Sequence, residues 1–165
     1  MDYKQSLAVL DQVCERIHSN EPAQMSKDDS IVLSNLFPHV LAPALAILDQ
    51  GRVTKFVCQE SKRVFFRVRE PFSSHQKAPG APDSTSVQYV DVVGNFCFSN
   101  EQAKDCMSEK GSSPLTKHVL AVKLATAMES VGLLEVKMIE DADFAPLLLS
   151  SKAHLQKYDL KPSRI

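Results

Sequence analysis

The sequence predicts an α+β fold, and three observations carry that prediction. Apolar residues recur at helical spacing through the first fifty positions, give way to Val- and Phe-rich alternating runs over residues 52–98, and return as a helix-favouring apolar stretch after residue 114. A chain of 165 residues fits one domain better than two. That length suffices to bury roughly two-thirds of the surface an unfolded chain exposes. With 44% hydrophobic and 24% charged residues, the chain is neither wholly disordered nor collagen-like nor a coiled coil.

Leu7, Leu10, Cys14 and Ile17 form the stripe of a first amphipathic helix, starting at Tyr3 and ending near Ser19 and Asn20. Ser26 is placed as an N-cap with Asp28 and Asp29 in the first turn behind it. Ile31, Leu33, Leu36 and Phe37 carry this second helix to Pro38. Pro43 suits the first turn of a third helix, and Gly51 stands where a left-handed C-terminal cap belongs. The expected division is therefore a helical region over 1–51, an α+β domain over 52–150 and a basic tail over 151–165.

Residues 52–59 and 63–69 flank the polar connector Glu60, Ser61 and Lys62, which predicts an antiparallel hairpin. In its second arm Val64, Phe66 and Val68 alternate with Arg63, Phe65, Arg67 and Arg69, so one face packs and the other is largely basic. Residues 70–86, with three prolines and many serines, read as a flexible insertion. Residues 87–98 resume as one strand, giving a small antiparallel sheet. Ser113 as N-cap and Pro114 at the first helical position open the next helix, which Gly132 stops. Residues 133–138 suit a short strand. Residues 141–150 suit a last helix in which Pro146 is awkward.

Nineteen Lys and Arg against twenty Asp and Glu give a net charge of −1, so any basic surface has to be local. No apolar run approaches the roughly 20 residues needed to cross a bilayer, and the expectation is a soluble intracellular protein with no membrane partner. Cys14, Cys58, Cys97 and Cys106 include no CxxC pair, in keeping with a reducing compartment. Cys14 and Cys58 read as small buried hydrophobes. No GxxxxGK[ST] run offers a phosphate-binding loop.

The chemistry to weigh lies in the run from Asn95 to Lys104, at a strand end, and in Leu115-Thr-Lys-His-Val-Leu-Ala-Val at a helix start. This arrangement resembles a SWIM zinc finger, whose pattern is Cys-x-Cys, a variable loop, then Cys-x-His with an alanine three residues on. Cys97 and His118 match the outer ligand positions and Ala121 the alanine, while Ser99 and Thr116 stand where the two middle cysteines belong. The runs ALAILDQGRVT, KRVFFRV, QYVDVVGNFCFS and TKHVLAVKLATAM also resemble, in order and spacing, the SWIM-domain subunit of the Shu complex over roughly residues 40–150.

That resemblance implies a non-enzymatic nuclear adaptor for DNA repair. Such a protein partners a RecA-like recombinase paralogue and promotes filament assembly on single-stranded DNA during homologous recombination. The alternative is a zinc-dependent DNA-binding or regulatory module without a recombinase partner. Structural zinc wants four Cys or His ligands, and neutral hydroxyls replace thiolates poorly, so the four SWIM positions read as vestigial and no cofactor is expected. Cys106 or Asp105 are the substitutes a retained zinc would need. A Cys97–His118 nucleophilic pair is the enzyme reading, and it lacks an orienting Asn or Asp and an oxyanion loop. For nucleic acid, Arg52, Lys55, Lys62, Arg63, Arg67 and Arg69 face the single acid Glu60 over residues 52–69, with Phe65 available for stacking. The competing reading is a solvated sheet face guarded by charge.

Overall fold

A computed structural model of the chain describes residues 2–71, 85–91, 96–98 and 115–153, with side chains over 2–69 and 115–147. The expected α+β class is what the chain adopts: helices lie on both faces of one sheet.

Helix α1 (Tyr3–Ser19) is capped by Asp2, whose carboxylate accepts the Gln5 N–H at 2.8 Å while the Gln5 side chain accepts the Asp2 N–H at 3.0 Å. It buries Leu10, Val13 and Ile17, so the apolar stripe is centred slightly off the predicted Leu7 and Cys14. Helix α2 (Lys27–Leu36) starts at Ser26 as predicted. Asp29 does more than cap it. Fully buried, it accepts from the Ser26 N–H at 3.1 Å and the Ser26 hydroxyl at 2.6 Å, and it receives the Arg16 guanidinium from α1. Ile31, expected on the packed stripe, is half exposed. Helix α3 (Leu41–Asp49) carries Pro43 in its first turn. Its end is a Schellman motif, in which Gly51 takes φ 59°, Gly51 N–H reaches Leu48 C=O at 2.9 Å and Arg52 N–H reaches Ile47 C=O at 3.2 Å.

Strands β1 (Val53–Cys58) and β2 (Val64–Pro71) form the predicted hairpin, with Val53 opposite Val68 and Val57 opposite Val64. Lys62 closes its turn in the left-handed region at φ 56°. The strand expected over 87–98 is two: β3 (Thr85–Asp91) and β4 (Phe96–Phe98) pair antiparallel, so the chain reverses between them. The ends of the expected 70–86 insertion belong to β2 and β3; residues 72–84 lie outside the described residues.

Helix α4 (Lys117–Ala127) begins three residues later than Pro114 would place it, because Thr116 is its cap; Ser113 and Pro114 lie outside the described residues. A 3-10 turn (Glu129–Val131) ends at Gly132, φ 76°, the predicted stop. Strand β5 (Glu135–Ile139) then pairs parallel with β1, so the sheet is mixed where an antiparallel one was expected, in the order β4-β3-β2-β1-β5. A parallel neighbour requires a crossover, and α4 supplies it from one sheet edge to the other. Helix α5 (Asp141–Ala153) accommodates Pro146 internally and extends into the expected tail, whose residues 154–165 lie outside the described ones. Among the described residues no helix is long and apolar enough to cross a membrane.

The main core joins α1, α2, α3 and α4 to the sheet face bearing Val53, Phe66 and Val68. A second cluster on the other face stacks Phe56 on Phe65, centroids 4.8 Å apart, beneath Phe144 and Leu147 of α5.

Burial alone raises the pKa of Asp29, yet hydrogen bonds from Ser26 and Arg16 outweigh it and hold the carboxyl below the ordinary carboxylate value. The unfolded chain therefore binds the proton more tightly. The stabilisation is complete above the unfolded pKa and fades as pH falls through the folded one. Because the Arg16 end is open to solvent, Asp29→Ala should cost about 2–4 kcal/mol at neutral pH. Urea unfolding at pH 7 and again in acid checks both, since the difference from the parent should shrink in acid.

Candidate functional site

The segment whose sequence resembles a SWIM finger opens on a strand and closes on a helix, and residues 99–114 between them lie outside the described residues. Cys97 is the central residue of β4, opposite Val90 of β3. Ser99, Asp105 and Cys106 lie outside the described residues, as does the Cys97 side chain. At the other end Thr116 Oγ1 accepts the Val119 N–H at 3.3 Å and so caps α4. That bond gives the hydroxyl a structural task where the family pattern has a thiolate. Within the first turn His118 is 1% exposed, and Leu115, Val119 and Leu120 beside it in sequence are buried too. Ala121 is fully buried. Among the described residues no three His, Cys, Asp or Glu side chains converge as a metal site.

The two cysteines with described side chains are packing residues. Cys58 is fully buried. Burial, with Lys123 opposing it, pushes the Cys14 thiol up to about 11, which leaves it protonated at neutral pH and a poor nucleophile.

The basic hairpin is more occupied than its sequence suggests. Lys55 gives its ammonium to both Glu129 oxygens at 2.9 Å and lies on the helix-covered face of the sheet. On the opposite face Arg69 stands 3.6 Å from Glu135, and Arg63 is 3.4 Å from Asp141 with its guanidinium 4.4 Å from the Phe144 ring centre. Lys62 Nζ donates to the Gln59 carbonyl at 2.6 Å. Arg67 lies over the Phe56 ring at 5.0 Å, and its buried Nε has no hydrogen-bond partner among the described residues. Arg52 is half-buried beside the end of α3. Phe65 is not available for stacking on a base. It is 4% exposed, face to face with Phe56 and edge-on to Phe144 at 5.5 Å. The alternation had placed it correctly on the basic face; helix α5 covers it there.

The groups that sequence reasoning missed are Glu129, Glu135 and Asp141, the counter-charges of the hairpin. Asp141 also accepts the Glu60 N–H at 3.1 Å and the Ser61 N–H at 3.2 Å, so the first residue of α5 grips the hairpin turn. Hydrogen bonding from Ser61, then from Glu60 and Arg63, keeps its carboxyl below the usual value. An acid opening a helix was the available signal, although nothing local to it named the turn as its target.

Compared with family models, curated proteins and solved structures, the chain matches none of them.

Phe65→Ala should cost about 3–5 kcal/mol in chemical denaturation, the penalty of a buried ring, rather than weaken contact with a nucleic acid. Ala121→Leu should overpack the core and cost about 1–3 kcal/mol, read as a lower denaturation midpoint at unchanged slope.

Proposed function

We propose that the chain is a non-enzymatic adaptor of a Shu-type complex. It pairs with a RecA-like recombinase paralogue in the nucleus and promotes recombinase filament assembly on single-stranded DNA in homologous-recombination repair. The observation that most supports this reading is the build of the SWIM-like helix. Its cap is a hydroxyl where the family carries a thiolate, and its residues from His118 to Val122 are all buried. A helix packed in this way is held by apolar contacts, which supports reading the chain as a scaffold that does not depend on a metal.

Other observations agree with a scaffold rather than a catalyst. Cys14 and Cys58 are packing thiols. Three of the six basic residues of the hairpin, Lys55, Arg63 and Arg69, are matched by acids, so affinity for single-stranded DNA belongs to the assembled complex, with Arg52, Lys62 and Arg67 as the least neutralised contributors from this chain.

Coexpression with RecA-like paralogues tests the proposal. The expected result is a stable heteromer that binds single-stranded DNA with marked salt dependence, while the isolated chain binds weakly, holds less than one equivalent of zinc and unfolds unchanged after chelation. A chain that ignores every RecA-like candidate defeats the adaptor reading. One tightly held zinc together with DNA binding by the chain alone supports the zinc-dependent module instead.

A further inference from the structure

The outer edge of β5 is open among the described residues. It ends the sheet, and its residues Glu135 to Met138 are all exposed. Gln59 N–H donates to the Ile139 carbonyl at 3.0 Å, continuing the parallel ladder in which Cys58 faces Ile139. Successive residues of a strand turn their backbone groups to opposite edges, so Val136 and Met138 turn theirs outward, where no described strand meets them. Helix α5 leaves after Ile139 and crosses toward Phe65 and β3, away from this edge.

The side chains are as open as the backbone. Val136 is 48% and Met138 53% exposed, and Met138 shares a sheet row with Val57 and Val64, the last 43% exposed. Helix α4 and its neighbours cover the rows holding Phe66, Val53 and Val68 and stop short of this one. On the opposite face of β5 stand one acid and one base, Glu135 and Lys137, at alternate positions.

We propose that this edge is a homodimer interface, in which two copies pair their β5 strands antiparallel about a two-fold axis through Val136. The charges choose that register. With Val136 opposite Val136 of the second copy, Glu135 faces the second copy's Lys137 and Lys137 faces its Glu135. Moving the axis by one residue sets Lys137 against Lys137 or Glu135 against Glu135, and like charges directly opposite are destabilising. On the other face Leu134 meets Met138 of the second copy, so the bare apolar row runs on across the axis. Each Lys137 now 3.1 Å from its own Glu135 gains a second acid across the interface. The pairing joins two five-stranded sheets into one and covers both outward ladders. It goes beyond the adaptor reading and does not depend on it.

Sedimentation velocity on the full chain, over about 1 to 100 µM to span ordinary dimer affinities, provides the test. The parent should sediment as a concentration-dependent dimer. Lys137→Glu, at an exposed position, and Glu135→Lys should each weaken it at least about tenfold by placing like charges opposite each other twice. An equimolar mixture of these two variants should restore the dimer, since each strand then carries one sign and faces the other. Met138→Asp, with a thermal melt matching the parent, should weaken it as well. A parent that stays monomeric throughout overturns the proposal. So does a dimer indifferent to Lys137→Glu and Met138→Asp, or a mixture that fails to re-form.

Discussion

Helix α4 has almost no face to give to water, and the rest of the fold is arranged around that constraint. From His118 to Ala127 only Lys123 and Thr126 are not buried. A helix apolar nearly all round must be covered on every side, which one neighbouring layer cannot do. It therefore lies between two, with α1 and α3 above it and strands β1 to β4 below. Lys123 finds its outlet at Asp11 of α1, 2.8 Å away. Having left the sheet at β4 and crossed it under cover, the chain re-emerges at the opposite edge, and the parallel pairing of β5 with β1 follows from that path.

The acids placed after α4 set the electrostatic character of the hairpin. Counted over residues 52–69 the hairpin is strongly basic, but Glu129, Glu135 and Asp141 return to it in space and pair with Lys55, Arg69 and Arg63. Exposed pairs of this kind contribute little to stability, roughly 0–1 kcal/mol each. Their effect is on the field, which is reduced from a stripe of one sign to a mosaic. The same acids tie elements distant in sequence. Thr54 donates to Glu135 at 2.9 Å and the hairpin turn donates to Asp141.

What could be read from the sequence was what local chemistry decides. The Ser26 cap, the left-handed glycines at 51 and 132, the hairpin and its alternation all depend on residues within a few positions of one another. What could not be read depends on remote partners. Asp29 looked like any first-turn acid until Arg16 was folded against it, and Ile31 fits the helical spacing but faces outward because α2 touches α1 along a different line. The candidate site divides in the same way. Burial of His118 and Ala121 follows from their place on an apolar helix, whereas the covering of Phe65 waits on Phe144, brought back by a helix that the hairpin's own sequence does not announce.

The pairing of β1 with β5 has a consequence for biosynthesis. Thr54 and Glu135 are 81 residues apart, so the ladder between them cannot close until synthesis has passed Glu135. Until then the nascent hairpin holds out Phe56 and Phe65 without the helix that covers them, and its arginines without their acids. It is at that stage a sticky, cationic ribbon whose β1 edge still lacks its strand. Contacts of such long sequence separation form slowly, because the entropy of closing the loop must be lost before the contact returns anything. The interval in which this protein is most exposed to misassociation thus falls during its own translation, and it ends when β5 has paired with β1 and α5 has folded over the phenylalanines behind it.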